Sequence, residues 1–284
     1  MWQGEDLNGK SIYIQGEQGT GDKILFSRYI AWLKETYPKC TIYAHLRDDL
    51  ANLFWEFETA GIIERFLPNS IPWPKGIDYS CYLMSLPHYH GSRREEWIPP
   101  DPGLIRKRVV DQNSLKNMPM PGLPSVNVGI CWTGNPSQTR NLDRSVPLDL
   151  MVELAEDPRI QLYSVQVGPG NDDLDRTGAR KLVIDLAGDI VNEGWVGTGQ
   201  VLMKLDVVIT VCTAVAHLAG ALGCNVWTLL CKEPYWVWPR EGDRTAWYPS
   251  MKLFRQKDFR GWRPVITEVK SELGRLADTQ IGPA

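Results

Sequence analysis

Residues Asp206–Leu230, DVVITVCTAVAHLAGALGCNVWTLL, decide the fold. Asp206–Val211 is a short β-branched run, the mark of a buried strand. Ala214–Leu222 is small and apolar with one polar residue, His217; Thr213 can cap it at the front and Gly223 stops it at the back. Val226–Leu230 is a second apolar run. The stretch therefore predicts a compact β-α-β unit whose slim helix packs tightly on a sheet. The start of such a helix presents free backbone N–H groups and the positive end of its dipole, a natural seat for a diphosphate. Any Rossmann-like unit has a turn of this shape, so the shape alone leaves phosphate binding open.

Composition narrows the class. A chain of 284 residues with 43% hydrophobic and 23% charged residues is that of an ordinary globular protein in one large or two modest domains. A net charge of −3 gives no general attraction to nucleic acid, although a local basic groove is compatible with it. No apolar run reaches the length of about 18 residues that reads as a membrane span, and no signal peptide opens the chain, so a cytoplasmic protein is expected. The six cysteines are scattered without a C-x-x-C pair and read as reduced core thiols. Trp236, Trp238 and Trp247 form a cluster that suits either a wall for a sugar or base, or core.

The rest of the chain alternates strand and helix, which favours parallel sheets. Ser11–Gln15 and Thr41–Leu46 read as strands, as does Asp78–Met84; Asp22 to about Tyr37 and Asp49–Ala60 read as helices. Between the first strand and helix lies Gly16–Gly21, GEQGTG. This is G-x-x-G-x-G, not the dinucleotide fingerprint G-x-G-x-x-G, so it does not indicate NAD. It sets an acid, Asp22, at the first helical position. A carboxylate there stabilises the helix dipole, and at the mouth of a cleft it also suits a general base. Residues 99–125 are proline-rich around a basic helical piece, Ile105–Val110, and read as an interdomain linker. In the second half Val126–Trp132, Ile160–Val167 and Leu182–Asp185 are strands, Thr133–Pro147 is a polar loop carrying Arg140 and Arg144, and Trp195–Leu205 is a helix. The chain closes on an amphipathic helix near Val265–Leu276. Loops after strands in both halves converge on the cleft that two such halves would form.

Four stretches in register carry a resemblance: GEQGTGDKILFSRYI, CWTGNPSQTRNLDRSVPL, TAVAHLAGALGCNVW and AWYPSMKLFRQ. They resemble the glycosyltransferase domain that follows tetratricopeptide repeats in many bacterial proteins, and that domain is similar to the ADP-heptose:lipopolysaccharide heptosyltransferases. The resemblance runs from Trp2 to about Trp262. Without repeats of its own, the chain reads as the catalytic domain standing free. The resemblance implies an α/β GT-B fold of two Rossmann-like domains facing each other across a cleft. An acceptor-side domain would span 1–120, a nucleotide-sugar domain 121–262, and the final helix, 263–284, would pack back on the first domain. It also implies hexosyl or heptosyl transfer from a nucleotide-diphosphate sugar, with no cofactor and no protein-held metal. The acceptor stays open among a glycan, a lipid-linked saccharide, a protein and a modified nucleic-acid base.

Residue by residue, Asp22 matches the family's catalytic base, with Gly19, Gly21, His88 and His90 on the acceptor side. Thr133, Gly134 and Asn135 match the family's Ser/Thr-Gly-Asn-Pro. Arg144 matches the arginine of the segment that follows, and Gln166 a strand-end glutamine near the nucleotide. Thr213 and Ala214 match the diphosphate turn. His217 matches a helix histidine that reaches phosphate or sugar, or is simply a satisfied buried histidine. Cys212 stands where the family has Asp, which changes what hydrogen-bonds the sugar hydroxyls. The loop Gly188–Gly199 is richer in glycine than the family pattern. Asp173-Leu174-Asp175 is a D-x-D that reads as a solvated turn, and His88-Tyr89-His90 lacks further ligands at metal-binding spacing. The alternatives are a non-catalytic sugar-nucleotide-binding relative and a nucleotide-sugar epimerase of the same fold.

Overall fold

A computed structural model describes residues 1–68, 75–91, 101, 103–112 and 125–282. The chain divides into two compact units, Met1–Gln112 and Asn113–Ala284. Most of the linker expected over 99–125 lies outside the described residues.

The first unit runs β1 (Ser11–Gln15), α1 (Thr20–Phe26), α2 (Arg28–Thr36), β2 (Thr41–His45), α3 (Trp55–Thr59), β3 (Arg65–Phe66), β4 (Tyr79–Tyr82), α4 (Leu86–His90) and α5 (Leu104–Gln112). Its four strands are all parallel in the order β3-β2-β1-β4. The single helix expected from Asp22 begins two residues earlier, at Thr20, so Asp22 is its third residue. It is also interrupted at Ser27, whose hydroxyl donates to the Ile24 carbonyl at 2.9 Å and competes with the helical ladder. The helix expected over Asp49–Ala60 shrinks to Trp55–Thr59 behind a short 3₁₀ turn. Trp2 seals the unit: it is buried, its N–H donates to the Ser80 carbonyl at 2.8 Å, and its carbonyl accepts the Tyr89 hydroxyl at 2.7 Å.

The second unit runs β5 (Val126–Cys131), α6 (Asn141–Arg144), α7 (Leu148–Val152), β6 (Ile160–Ser164), α8 (Asp173–Arg176), β7 (Val183–Asp185), α9 (Ala187–Leu202), β8 (Val207–Val211), α10 (Ala214–Ala221), β9 (Val226–Leu230), β10 (Met251–Arg255) and α11 (Trp262–Gln280). Its six strands are parallel in the order β10-β9-β8-β5-β6-β7. Strand order therefore reverses between β5 and β8, as in a Rossmann sheet. β8 and β9 are buried along their whole length, as strands covered on both faces must be. The expected loop Gly188–Gly199 is helical, broken at Gly194, whose φ of 59° and ψ of −144° only glycine adopts without strain. The D-x-D lies on α8, not in a solvated turn. Asp173 accepts the Trp132 indole N–H at 3.0 Å, and Asp175 pairs with Arg180.

The sequence suggested that the final helix packs back on the first half. Within the second unit α11 buries Trp262, Val265, Ile266, Val269, Leu273 and Ala277 in the core that also holds Val126, Val128 and Leu162. Ion pairs of Arg263 with Glu153, Lys270 with Glu156 and Asp278 with Arg159 fix its other faces to the same unit. Among the described residues no helix is long and apolar enough to cross a membrane.

Tight packing of α10 gives a direct test. A Cβ on Gly220 would lie 2.5–2.7 Å from three carbons of the Tyr248 ring. Gly220→Ala gains about 1 kcal/mol of helix propensity. Overpacking against a buried ring costs about 1–3 kcal/mol. The expected net result is a lower urea midpoint with an unchanged m-value.

Candidate functional site

In an open α/β sheet the ligand crevice lies beyond the carboxyl ends of the strands where strand order reverses. In the second unit that place is the end of β5 and β8. The chain leaves β5 through Cys131, Trp132 and Thr133, leaves β8 through Cys212 and Thr213, and leaves the adjacent β6 through Gln166.

Side chains knit these three exits together. Gln166, 5% exposed, accepts the Thr133 backbone N–H at 3.1 Å and the Cys131 thiol at 3.4 Å through Oε1. Cys131 Sγ lies 3.9 Å from the Thr213 hydroxyl, which also meets Thr210 Oγ1 at 3.3 Å. Burial pushes the Cys131 thiol above its ordinary value, so it stays protonated and inert. The Thr133 hydroxyl meets Ser145 Oγ at 2.7 Å and accepts from Asn141 Nδ2 at 3.0 Å. Asn141 Oδ1 accepts the Gly134 N–H at 3.1 Å and Arg144 Nε at 3.2 Å. Arg144 then donates from Nη1 to the Cys212 carbonyl at 2.8 Å, crossing from the β5 loop to the end of β8. Glycine is obligatory at two places here. A Cβ on Gly134 would collide with the Arg144 guanidinium, and one on Gly170 would collide with Thr133 Cγ2.

α10 starts at this knot. Thr213 occupies its N-cap position with extended φ and ψ, but its hydroxyl turns to Thr210 and Cys131 and does not cap the helix as expected. The first turn therefore has no side-chain cap at the positive end of the helix dipole; the Ala216 N–H donates to the Thr213 carbonyl at 3.1 Å, and Ala214 and Val215 precede it. His217, one turn further, is 4% exposed; its ring lies 5.2 Å from that of Trp238, nearly parallel, and Nδ1 is 3.2 Å from the Tyr248 hydroxyl. These are the surroundings of a satisfied buried histidine. The tryptophan cluster divides. Trp238 is core and donates its indole N–H to Cys212 Sγ at 3.0 Å, Trp247 is half-buried and donates to the Val237 carbonyl, and Trp236 is 61% exposed. Asn135 stands apart from the knot, accepting the Ser137 N–H in its own turn.

The first unit repeats the construction. Its strand order reverses between β1 and β4, and Gly16–Gly21 leaves the end of β1. Asp22 Oδ2 accepts the Gly19 N–H at 2.9 Å, half of a capping box. Lys23, 3% exposed, turns inward and donates to the carbonyls of Glu17 at 3.2 Å and Gln18 at 2.8 Å. Burial, with Arg47 nearby, pulls its ammonium below the ordinary value. Gly16 makes room for this: a Cβ there would lie 3.0 Å from Lys23 Cε. Glu17 reaches across the reversal to accept the Met84 N–H at 3.2 Å through Oε1, while Oε2 is buried without a hydrogen-bond partner. Burial raises the Glu17 carboxyl above its ordinary value, against hydrogen bonds from its own, the Met84 and the Leu83 N–H groups and against Lys23.

Thr133, Gly134, Arg144, Gln166, Cys212, Thr213 and Ala214 thus come together at one end of one sheet. Gly19, Gly21 and Asp22 share the turn at the matching end of the other. His88 and His90 do not join that turn: His90 packs edge-on against Tyr29 and Trp32 of α2, and His88 against Tyr89. Sequence reasoning missed Asn141, Lys23 and Glu17. A buried-lysine signal existed, since Lys23 directly follows Asp22 on a helix whose next residues are apolar. Asn141 had none, being one polar residue in a polar loop. Among the described residues no group of three or more His, Cys, Asp or Glu side chains is placed to hold a metal ion.

Comparison with known proteins accords with this architecture. No family model matches the chain. Protein FlbA of Caulobacter vibrioides is 22% identical over 311 aligned residues, covering 97% of this chain and 48% of that protein. The chain therefore spans about half the length of the curated relative it matches. Among solved structures it is similar to a glycosyl transferase family 9 protein of Veillonella parvula, with 10% identity, TM-score 0.56 and coverage of 97% and 98% of the two chains. It is similar to ADP-heptose lps heptosyltransferase II of E. coli, with 14% identity, TM-score 0.56 and coverage of 94% and 99%. E. coli heptosyltransferase WaaC, solved with ADP-2-deoxy-2-fluoro heptose, gives 13% identity, TM-score 0.55 and coverage of 94% and 100%. The chain has the α/β GT-B fold of these proteins, built from two Rossmann-like units.

Glu17 supplies a pH test. A carboxyl whose folded pKa is raised favours the fold fully below its unfolded pKa, and that contribution is lost as pH rises through the folded value. Glu17→Gln keeps the acceptor for Met84 and removes the titration. It should unfold at higher urea than wild type at pH 8, with the gap closing below about pH 4.

Proposed function

We propose that the chain is a glycosyltransferase that moves a hexosyl or heptosyl unit from a nucleoside-diphosphate sugar to an acceptor hydroxyl. The observation that carries this reading is Arg144. The guanidinium is half-buried and held by two neutral oxygens, and among the described residues it has no carboxylate partner. It shares the end of β5 and β8 with the uncapped start of α10. A fixed cation and free helical N–H groups at a switch point form a seat for a diphosphate. The GT-B fold, and ADP-sugar binding by the similar WaaC, support the same assignment.

In the proposed reaction the acceptor O–H bond breaks as its oxygen attacks the anomeric carbon. The bond from that carbon to the diphosphate oxygen breaks in the same displacement, and the electron pair leaves with the diphosphate. Arg144 and the first N–H groups of α10 offset the charge that builds there. Asp22 takes the acceptor proton. Its Oδ2 is engaged by Gly19, and Oδ1 has no hydrogen-bond partner among the described residues. No metal or cofactor is assigned a part. Cys212, covered by Trp238, removes a carboxylate from the sugar end of the seat and so bears on which sugar is accepted. Membership of the repeat-associated branch, suggested by the four sequence stretches, belongs to the same proposal. The acceptor class stays as broad as the sequence left it.

A thermal-shift panel of ADP-, UDP-, GDP- and dTDP-sugars and CMP-sugars tests the donor site. A ligand at a hundred times its Kd stabilises by about 2.7 kcal/mol. One nucleotide class should raise Tm in wild type and in Asp22→Asn but not in Arg144→Ala or Thr213→Trp. Asp22→Asn should bind donor and lose transfer. A shift that survives Arg144→Ala, or none with any donor, contradicts the proposal.

A further inference from the structure

The anion seat depends on a residue of the CWTGNPSQTRNLDRSVPL stretch that has been given no part in it so far. Asn141 opens the short helix α6 and is 7% exposed. Its buried amide is engaged at both ends: Oδ1 accepts from Gly134 N and from Arg144 Nε, and Nδ2 donates to the Thr133 hydroxyl. Its backbone carbonyl accepts the Ser145 hydroxyl at 2.6 Å. Oδ1 faces two donors and Nδ2 one acceptor, so the amide has a single orientation that satisfies all three.

The electrostatic consequence lies in what Asn141 is not. Several other arginines of this unit are aligned by carboxylates, Arg140 by Asp143 and Glu233, Arg159 by Asp157 and Asp278, Arg180 by Asp175 and Asp185, while Arg255 donates to the Gly242 carbonyl. A carboxylate orients a guanidinium but also cancels its charge. Arg144 is oriented by an amide oxygen and a peptide carbonyl, which fix direction and leave the charge uncompensated. Asp is nearly isosteric with Asn and would accept the same two N–H bonds. It would lose the donor to Thr133 and place a negative charge at hydrogen-bond distance from the guanidinium.

We propose that Asn141 is the positioning residue of the diphosphate seat: it aims Arg144 and holds the Thr133–Gly134 turn while keeping the cation's full charge available to an anionic ligand. This deepens, and rests on, the donor-site reading above.

The test compares wild type, Asn141→Asp and Asn141→Ala, with thermal melts to show that each is folded. The first readout is the Arg144 Nε–Hε NMR signal of the ligand-free protein. It should be resolved in wild type, shifted in Asn141→Asp, and broadened or averaged in Asn141→Ala. The second is calorimetric binding of ADP and inorganic pyrophosphate over a salt series. Asn141→Asp should weaken pyrophosphate by about tenfold or more, since a unit charge at this range cancels most of the guanidinium's pull. It should also flatten the salt dependence. A merely structural role would change Tm but not the salt slope. An Arg144 signal identical in wild type and Asn141→Ala overturns the positioning role whether or not ligand binds. Unaltered pyrophosphate affinity and salt slope in a folded Asn141→Asp overturns the charge argument. Wild type that binds neither probe overturns the donor-site reading, and this inference with it.

Discussion

The second unit turns on one hydrogen bond, from Arg144 to the carbonyl of Cys212 at 2.8 Å. It joins a loop that leaves β5 to the exit of β8, across the point where the strand order reverses. Several sequence requirements follow. Gly134 must lack a side chain for the guanidinium to pass, and Asn141 Oδ1 accepts from its Nε. Thr213 turns its hydroxyl toward the strands, which leaves the start of α10 uncapped. Buried polar groups are costly unless paired, and here nearly all are paired with one another. The unpaired remainder, guanidinium N–H groups and helical N–H groups, is what an anion would complete.

The first unit answers the same geometry with different chemistry. Lys23 sits close to a strand exit, as Arg144 does, but its ammonium is directed to the carbonyls of Glu17 and Gln18. A compact ammonium on a flexible stem can fold back into a turn. A planar fork held by two acceptors still presents its remaining donors outward. Lys23 is therefore structural, spent on the turn that it closes.

Much of the fold was legible because buried parallel strands announce themselves as unbroken apolar runs. Ser11–Gln15 and Val226–Leu230 match residue for residue. Helix ends were less so. Nothing in the local pattern shows that the Ser27 hydroxyl will interrupt a helix, or that the glycines near Gly194 lie in helical turns. The amphipathic pattern of α11 predicted a buried face but not its partner, because periodicity carries no tertiary address. At the candidate site the motif residues Thr133, Gly134, Arg144 and Thr213 were visible as small, polar or cationic groups after strands. Their support was not. Asn141 is ordinary in a polar loop and becomes singular only when three donors and acceptors close around it. His217 carried two readings from the resemblance, a phosphate or sugar contact or a satisfied buried histidine, and Trp238 two from composition, a ligand wall or core; the fold stacks the two rings against each other in the core.

The central claim is that the exits of β5 and β8 form an anion seat. A backbone amide NMR titration with ADP and UDP tests it most directly. The account predicts the largest shifts at Ala214, Val215 and Ala216 of the first turn of α10 and at Thr133 and Gly134, together with the Arg144 side-chain signal. They should saturate together with one binding constant. Saturating shifts confined to other parts of the chain, with those residues silent, would contradict it.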